Sequence, residues 1–591
     1  MEGAQAADSR VIERREIRPS SSAATDRAAQ TAPAAPRTRS LWKPGIDFLV
    51  VPAVFLVVGL LLQGDGRVPL GDSWVFSWTE KQLVEHGRLV FSDVQAMTLV
   101  GQMLLAWPVA AVFSPTPSVL NHFTLVLSAI TLDLFLLVYR RLGIGRGLSL
   151  LGVAAVAINP IWLIQSMAFE TEIPFLFFSA LGALALLEWD RSGRDAALWR
   201  TGLAFAGAAA VRQHALIFPF AWFVYAWPAG KVKPRSLLPW LMPPLVVGMV
   251  YLWIHWIGDV PRAFGWQKEM VRFRWSDPYH LATSTAYGVL SAMHYLGGFL
   301  VPVSVVAAST QIRRGQPMLA ACCVLLAAST IVLWFGYGLG MPYLPHLLQP
   351  IALLVPLGLG DQTRTVELVW TILSMLAGIV LLAALFHSDL VRGVDHRETP
   401  AGVSHEVPAA LRFFAATAVF MIGFNLMTGL GFDRYFLPPL PFVIPVLLYG
   451  RSPSVRRMQI SALLLVASAA GSALLVDQRI RSSACEWDLA ESLRDGGVAP
   501  IRINGGVAFN GYYLYETMAE TWKGRKHGVW VPWFQPQAEY LLTAAAPQRP
   551  GLTLVDTHRC ANLPGFLPLE VRTYTCAPRG PLEASTLCQP F

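Results

Sequence analysis

Apolar runs of about 20 residues alternate with shorter polar stretches along most of this chain, from about residue 46 to about residue 476. A helix of that length crosses a hydrocarbon layer roughly 30 Å thick. Backbone amides in lipid must find their hydrogen-bond partners within the protein, so the runs are predicted to be helices. The pattern predicts an all-α polytopic membrane protein with about 11 to 13 transmembrane helices.

Basic residues indicate which side of the membrane each polar stretch occupies. Arg140 and Arg141 end one apolar run, and positive charge is concentrated in cytoplasmic loops. Residues 1–44 are rich in Ala, Ser and Arg and are predicted to be a disordered cytoplasmic tail. Residues 45–477 would form the multispan core. Residues 478–591, rich in aromatics, Gly and Pro, are predicted to form a small extramembrane α/β domain on the outer side.

Two stretches do not fit simple crossings. The run 201–226 is interrupted at Arg212, Gln213 and His214, which predicts two half-helices bent at these polar residues. Later, five runs lie between two basic clusters on the inner side, so one of the five must be split or must not span. These runs are residues 317–337, 347–360, 366–386, 409–430 and 435–450.

Composition agrees with a membrane core and limits the partners. Hydrophobic residues make up 54% of the 591 residues and charged residues only 14%, against about 25% in soluble domains. The net charge of +8 comes from basic residues in short loops and the tail, so no nucleic-acid partner is expected. The Ala- and Arg-rich composition and mostly short loops indicate a bacterial inner-membrane protein, whose outer face is the periplasm.

The six cysteines fall into two groups. Cys322 and Cys323 lie inside an apolar run and are expected to be small buried hydrophobic residues. The other four lie in the C-terminal segment and predict one or two disulfides in an oxidising compartment, with three pairings open. They are Cys485, Cys560, Cys576 and Cys588.

A single acid in the first outer loop is the first candidate for chemistry. Asp72 lies in a stretch that contains Trp74, Phe76 and Trp78, where partial loss of water would suit it to deprotonate a hydroxyl. The alternative is that Asp72 is a solvated loop residue or the N-cap of a following helix.

Further acids and an arginine lie at the ends of later runs. Glu170 and Glu172 precede Pro174, and such a pair holds a metal ion or binds sugar hydroxyls, unless Glu172 is only a first-turn acid favoured by the helix dipole. Arg212 interrupts its run, where it either clamps a phosphate or reaches towards lipid head groups. His214 beside it is counted as a candidate substrate-binding residue.

The last cluster opens a late run in the sequence Asp-Arg-Tyr-Phe-Leu-Pro-Pro-Leu-Pro. Asp433, Arg434 and Tyr435 are candidate substrate-binding residues there. Ionisable groups at membrane level are costly and are therefore functional candidates by default. The alternative is that Asp433 and Arg434 only pair with each other.

The order of these features resembles a known superfamily. An acid in the first outer loop, an acidic pair before a proline in the second, an arginine-interrupted helix and a late Asp-Arg-Tyr followed by prolines occur in that order. The arrangement resembles the GT-C superfamily of polyprenyl-phosphate-dependent glycosyltransferases, in its protein mannosyltransferase-like and aminoarabinose-transferase-like branch. The resemblance covers the chain from the first apolar run to the Asp-Arg-Tyr cluster.

The resemblance implies an inverting transferase that moves a sugar from a polyprenyl-phosphate donor in the membrane lipid to an acceptor hydroxyl on the outer, periplasmic face. It implies Asp72 as the general base. It also implies Glu170 and Glu172 as the second-loop acids, and Arg212 and Arg434 as the residues near the lipid-linked phosphate. The acceptor would be a glycan, a lipid or a protein. A divalent cation is the one cofactor left open, although this first loop has one acid where many members have two.

Two other classes of function fit a multispan chain: a lipid or solute transporter or flippase, and a non-catalytic membrane scaffold. A transporter places paired ionisable residues near mid-membrane, whereas the candidates here cluster at the outer ends of helices. Loss of sugar transfer in an Asp72→Asn variant would separate an enzyme from a scaffold.

Overall fold

The chain folds into a mainly helical core followed by a small mixed sheet, which confirms the predicted fold class. The structure is a computed structural model that describes residues 45–256, 260–308, 317–336, 363–385, 409–428, 432–522, 538–543, 552–560 and 569–576. The predicted disordered tail, the run 347–360 and Cys588 lie outside these described residues.

The α-helices of the described ranges are, in chain order, α1 (Asp47–Gln63), α2 (Ser73–His86), α3 (Val100–Phe113), α4 (Pro117–Arg141), α5 (Arg146–Ala157), α6 (Pro160–Ser166), α7 (Glu172–Ser192), α8 (Asp195–Val211), α9 (Ile217–Ala226), α10 (Pro234–Leu237), α11 (Met242–Trp256), α12 (Arg262–Ser276), α13 (Pro278–Ala307), α14 (Pro317–Ile331), α15 (Thr363–Leu385), α16 (Ala409–Thr428), α17 (Leu440–Leu448), α18 (Val455–Asp495) and α19 (Gly506–Trp522).

Seven helical stretches in the described part of the chain are long and apolar enough to cross a membrane. They are α4, α7, α10 continuing into α11, α13, α15, α16 and α18. The bent pair α5 and α6 makes up to eight if it forms one span. The predicted total of about 11 to 13 applies to the whole chain, including shorter apolar helices such as α1 and runs outside the described residues.

The bend between α5 and α6 has a local cause in the sequence. The two helices meet at 67°, and Pro160 opens α6, where a missing N–H costs nothing. The Asn159 side-chain oxygen accepts hydrogen bonds from the backbone N–H of Ile161 at 2.9 Å and of Trp162 at 3.2 Å. Asn159 therefore caps a new helix in a new direction instead of continuing α5.

The predicted break at Arg212 is confirmed. Helix α8 ends at Val211, and Arg212 has an extended backbone with φ −145° and ψ 135°. A 3-10 turn, Gln213–Leu216, then leads into α9. Phe205 of α8 stacks on Phe218 of α9 with 4.0 Å between ring centroids, which fixes the two half-helices against each other.

The run 435–450 is one of the five runs in the part of the chain where one run must be split or must not span. It begins with a 3-10 turn, Asp433–Phe436, and its α-helix, α17, has only nine residues, all of them buried. Nine residues rise about 14 Å, far less than a hydrocarbon layer of roughly 30 Å. This segment is therefore a buried half-helix and not a crossing.

Helix α18 connects the core to the C-terminal sheet. Its 41 residues rise about 60 Å, twice the thickness of a hydrocarbon layer, so the helix is about twice as long as one crossing needs. The predicted boundary at residue 478 falls inside this continuous helix. Cys485 of α18 forms a disulfide with Cys560, with the two Cα atoms 6.1 Å apart.

The sheet has four strands in the order β1-β2-β4-β3. Strand β1 pairs with β2 in parallel, and the other two pairs are antiparallel. Helix α19 connects β1 to β2. The strands are β1 (Ile503–Asn504), β2 (Tyr540–Thr543), β3 (Leu552–Cys560) and β4 (Leu569–Cys576).

Candidate functional site

Asp72 occupies the N-cap position of α2, but its side chain makes no capping hydrogen bond. Its backbone N–H donates to Glu170 Oε1 at 2.9 Å. The preceding Gly71 makes this approach feasible, because its φ is +61° and a Cβ there would lie 3.0 Å from Glu170 Oε1. The Asp72 side chain therefore does not cap the helix, and its carboxylate contacts another residue.

The acidic pair lies between α6 and α7 and is almost completely buried. The backbone N–H of Phe169 donates to the Asn121 side-chain oxygen at 2.8 Å, which ties this loop to α4. Glu172 opens α7 as a first-turn acid, and it also forms an ion pair with Arg212 at 2.5 Å. Glu172 therefore has the first-turn position that the sequence suggested, and the helix dipole and an arginine stabilise the same carboxylate.

Arg212 lies at the helix break and is fully buried. Its guanidinium pairs with Glu172 and lies 5.5 Å from the centre of the Tyr435 ring. No nitrogen of that guanidinium has a well-aligned hydrogen-bond partner among the described residues. Arg212 therefore does not reach towards lipid head groups, and its charge is balanced inside the protein.

Arg434 lies in the second break, the 3-10 turn before α17. It forms an ion pair with Asp72 at 2.5 Å and a longer one with Glu170 at 3.5 Å. Arg434 also lies 5.6 Å from the Tyr435 ring centre. Acids and an arginine from three distant parts of the chain thus meet in one buried cluster.

His214 lies behind Tyr435. Its Nε2 is 3.1 Å from the Asn425 side-chain oxygen, and the Asn425 amide donates to the Tyr435 carbonyl at 2.8 Å. The His214 and Tyr435 rings are stacked with 6.2 Å between centroids. These contacts position the Tyr435 backbone and ring. Asn425 was missed by sequence reasoning because nothing distinguishes it from other polar residues in apolar helices.

Burial and neighbouring charges shift the pKa values of two residues in the cluster, Glu170 and Arg434. Burial raises the pKa of Glu170 well above its usual value, and the opposing effect of Arg434 is smaller. Burial lowers the pKa of Arg434, but the nearby carboxylates, Asp72 first, outweigh this and raise it well above the usual value. Arg434 is therefore always charged, and the short contact with Asp72 is its principal ion pair.

A cavity of about 420 Å³ opens beside this cluster. Five of the eight residues singled out from the sequence line it: Asp72, Glu170, Glu172, Arg434 and Tyr435. The other three do not line it: Arg212, His214 and Asp433. The remaining lining residues are Val75, Phe76, Val94, Gln95, Ala96, Met97, Thr171, Ala263, Gln267, Phe432 and Val507.

The C-terminal segment forms part of the same region. Val507 of α19 lines the cavity, and a Cβ on Gly511 would lie 2.4 Å from the Trp74 ring, so only glycine permits this contact. The Trp78 indole N–H donates to Glu516 at 2.9 Å, and the backbone N–H of Asp93 donates to the Tyr515 hydroxyl at 3.0 Å. Helix α19 therefore packs directly on α2, next to Asp72.

A bound metal ion is not supported by the arrangement of the acids. Three carboxylates line the cavity, but two of them, Asp72 and Glu172, are each 2.5 Å from an arginine. Among the described residues, no group of three or more His, Cys, Asp or Glu side chains has the geometry to hold a metal ion.

No protein-family model matches the chain, and no curated protein matches its sequence. Solved structures give weak matches. ArnT from Cupriavidus metallidurans bound to undecaprenyl phosphate is 13% identical, with 91% of this chain and 100% of that chain covered and a TM-score of 0.40. The Archaeoglobus fulgidus oligosaccharyltransferase in complex with Zn and sulfate is 15% identical, with 76% and 56% covered and a TM-score of 0.39.

A third match is the S. cerevisiae protein O-mannosyltransferase Pmt1-Pmt2 complex bound to the sugar donor. It is 15% identical, with 37% of this chain and 35% of that chain covered and a TM-score of 0.29. The chain thus spans about a third of that protein. These structures belong to GT-C glycosyltransferases, the superfamily that the sequence motifs resemble. At these identities and TM-scores the similarity assigns no role to any residue of this chain.

Proposed function

We propose that this protein is an inverting membrane glycosyltransferase. It moves a sugar from a polyprenyl-phosphate donor to a hydroxyl of a glycan, lipid or protein acceptor on the outer face of the membrane. The observation that carries the proposal is the contact of Asp72 with Arg434 at the wall of a cavity. A carboxylate is a general base and a guanidinium binds phosphate, so the two groups that this reaction needs lie side by side.

Of the two arginines that the motifs associate with the lipid-linked phosphate, Arg434 is the better candidate. Arg434 lines the cavity, whereas Arg212 is enclosed behind Glu172 and Tyr435. The donor phosphate would approach Arg434 from the cavity and replace Asp72 as its principal anion. Donor binding would thereby free Asp72, so the base becomes available only when a sugar donor is in place.

Sugar transfer would then occur by a single displacement at the anomeric carbon. Asp72 accepts the proton of the acceptor hydroxyl, whose oxygen attacks the anomeric carbon from the side opposite the phosphate. The new bond joins that oxygen to the anomeric carbon, and the bond from this carbon to the phosphate oxygen breaks. The polyprenyl phosphate leaves as an anion, and Arg434 stabilises the charge that develops on it. The proton on Asp72 passes to water through the cavity.

Arg212 is a positioning residue in this scheme. It holds Glu172 and packs over Tyr435, and both of these line the cavity. Glu170 holds the backbone of Asp72 through the hydrogen bond to its N–H. The acids would bind hydroxyl groups of the substrates through oxygen atoms that the arginines leave open.

The disulfide supports an outer location for the site. Cys485 and Cys560 are bonded, and disulfides persist in oxidising compartments such as the bacterial periplasm. Helix α19 of the same C-terminal segment packs on α2 and places Val507 at the cavity. The cavity and the disulfide therefore belong to one side of the membrane.

The test is a strain that lacks the protein, analysed by mass spectrometry for polyprenyl-phosphate sugars and envelope glycans. We expect one lipid-linked sugar to accumulate and one envelope sugar to disappear, and the wild-type gene to reverse both changes. Asp72→Asn should lower transfer by at least about 100-fold, because it removes the base. The matched control is Asp65→Asn, since Asp65 is an exposed loop acid paired with Arg67 at 3.0 Å.

Two outcomes contradict the proposal at different levels. Restoration of the missing envelope sugar by Asp72→Asn to wild-type amounts would remove Asp72 as the base. Unchanged donors and glycans in the strain without the protein would reject glycosyl transfer altogether.

A further inference from the structure

A buried glutamine lines the cavity. The side chain of Gln95 is almost fully buried, and its Nε2 donates to the Met97 carbonyl at 2.9 Å. Its Oε1 has no hydrogen-bond partner among the described residues. A buried amide oxygen without a partner is destabilising, so its place on a cavity wall favours a ligand that donates a hydrogen bond.

The segment that carries Gln95 is held rigidly. The Gln213 amide donates to the Ala96 carbonyl at 2.9 Å, and the Thr98 hydroxyl donates to the Ala209 carbonyl at 2.7 Å. The backbone N–H of Leu99 donates to the Val211 carbonyl at 3.0 Å. These three bonds fasten residues 96–99 to the break between α8 and α9. Gln95 is therefore preorganised, because neither its backbone nor its amide nitrogen is free to turn away.

The other walls of the cavity suit a sugar ring. Gln267 of α12 lines it as a second amide, and Phe76 and Phe432 contribute aromatic rings. Amide groups match the paired donor and acceptor character of sugar hydroxyls. Aromatic rings pack against the apolar faces of a ligand. A volume of about 420 Å³ lies within the usual range for small-molecule sites, about 300–1,000 Å³.

We propose that Gln95 and Gln267 form a sugar-binding subsite of this cavity, in which Gln95 Oε1 accepts a hydrogen bond from a sugar hydroxyl. This inference rests on the proposed function and adds a residue that determines which sugar is used. The hydroxyl belongs either to the donor sugar or to an acceptor sugar, since both must enter the cavity next to Asp72.

The variant that tests the subsite is Gln95→Met, which keeps the length of the side chain and removes the oxygen. Gln102→Met is a matched control. Gln102 is equally buried, its Nε2 donates to the Phe169 carbonyl at 3.3 Å, and its Oε1 also lacks a partner among the described residues, but it does not line the cavity. Both variants lose the same kind of internal hydrogen bond. A difference in KM between them is therefore due to the position of Gln95 at the cavity.

The assay uses the full-length protein in lipid nanodiscs with undecaprenyl phosphate linked to arabinose, ribose, mannose or glucose. Turnover is measured with water as the acceptor and with an n-octyl glycoside as the acceptor. We expect Gln95→Met to raise KM about tenfold relative to Gln102→Met, the effect of one lost hydrogen bond. A higher KM for the donor in both reactions assigns the hydroxyl to the donor sugar. A higher KM for the octyl glycoside alone assigns it to the acceptor.

Substrates that lack single hydroxyls identify the group that Gln95 binds. For the wild-type protein, kcat/KM should fall about tenfold when one particular hydroxyl is missing from the sugar. For Gln95→Met, kcat/KM should be the same with and without that hydroxyl. Equal kinetics of Gln95→Met and Gln102→Met would overturn the subsite and leave a water molecule as the partner of Oε1. Unchanged lipid-linked sugars and glycans in the strain without the protein would instead reject the proposed function, and the subsite with it.

Discussion

Two arginines lie at two breaks in the helical core, and each meets a carboxylate at 2.5 Å. Arg212 follows α8 and pairs with Glu172, and its side chain is closed off from the cavity. Arg434 precedes α17, pairs with Asp72 and lines the cavity. The two breaks are alike in local chemistry, since each places a charged residue where a helix is interrupted. They differ in what else can reach the guanidinium.

The comparison separates structural from chemical use of one residue type. A buried ion pair that is enclosed on all sides holds helices in their relative positions, and removing one partner lowers the stability of the fold. In an ion pair at a cavity wall, a substrate anion can replace the carboxylate. Removing such an arginine therefore lowers substrate binding and turnover. The Tyr435 ring packs against both guanidinium groups, so the two breaks are connected through this one side chain.

The largest expected effect is on stability, at the enclosed arginine. Arg212→Met leaves the buried Glu172 without a counter-ion, which should destabilise the protein by about 3–5 kcal/mol. A second change, Glu172→Gln, removes the stranded charge and should restore much of the loss. The measurement is the melting temperature of the single and double variants in detergent. A double variant no more stable than Arg212→Met would show that Arg212 supports the fold without Glu172.

The next effect is on activity, and the same substitution is made at both breaks. Arg434→Lys keeps the positive charge but loses the planar fork that binds phosphate in two places. We expect sugar transfer to fall about 100-fold, as when one preorganised donor is removed from an active site. Arg212→Lys should change transfer only a few-fold. Equal losses in the two variants would remove the distinction between a cavity arginine and an enclosed one.

The smallest effect extends the comparison to a buried acid that has no hydrogen-bond partner among the described residues. Burial raises the pKa of Glu80, on α2, from 4.5 to about 8. Between these two pH values the folded protein holds a proton that the unfolded chain has lost. Stability is therefore greatest at low pH and falls as the pH rises towards about 8.

Glu80→Gln should remove this dependence. We expect the wild-type protein to lose roughly 1–2 kcal/mol more stability than the variant between about pH 6 and pH 8. Glu85→Gln is the control, because Glu85 lies on the same helix with a side chain that is 44% exposed. Melting temperatures measured across this range test the prediction, and parallel curves for wild type and Glu80→Gln would contradict it.

Features that depend on local pattern were predictable from the sequence. The helices follow from runs of apolar residues, because a backbone in lipid must satisfy its own hydrogen bonds. The break at Arg212 was predictable for a similar reason, since three polar residues interrupt an apolar run. The C-terminal cysteines predicted a disulfide but not the partners Cys485 and Cys560.

Only the tertiary structure decided which residues meet. Asp72 and Arg434 are 362 positions apart, and the spacing of residues along the chain carries no information about contacts between distant loops. Gln95 has no motif around it and becomes notable only because the packing of α8 and α9 places it at a cavity. The packing also gave two similar arginines different surroundings, because exposure to a cavity is a property of the assembled helices and not of either helix break.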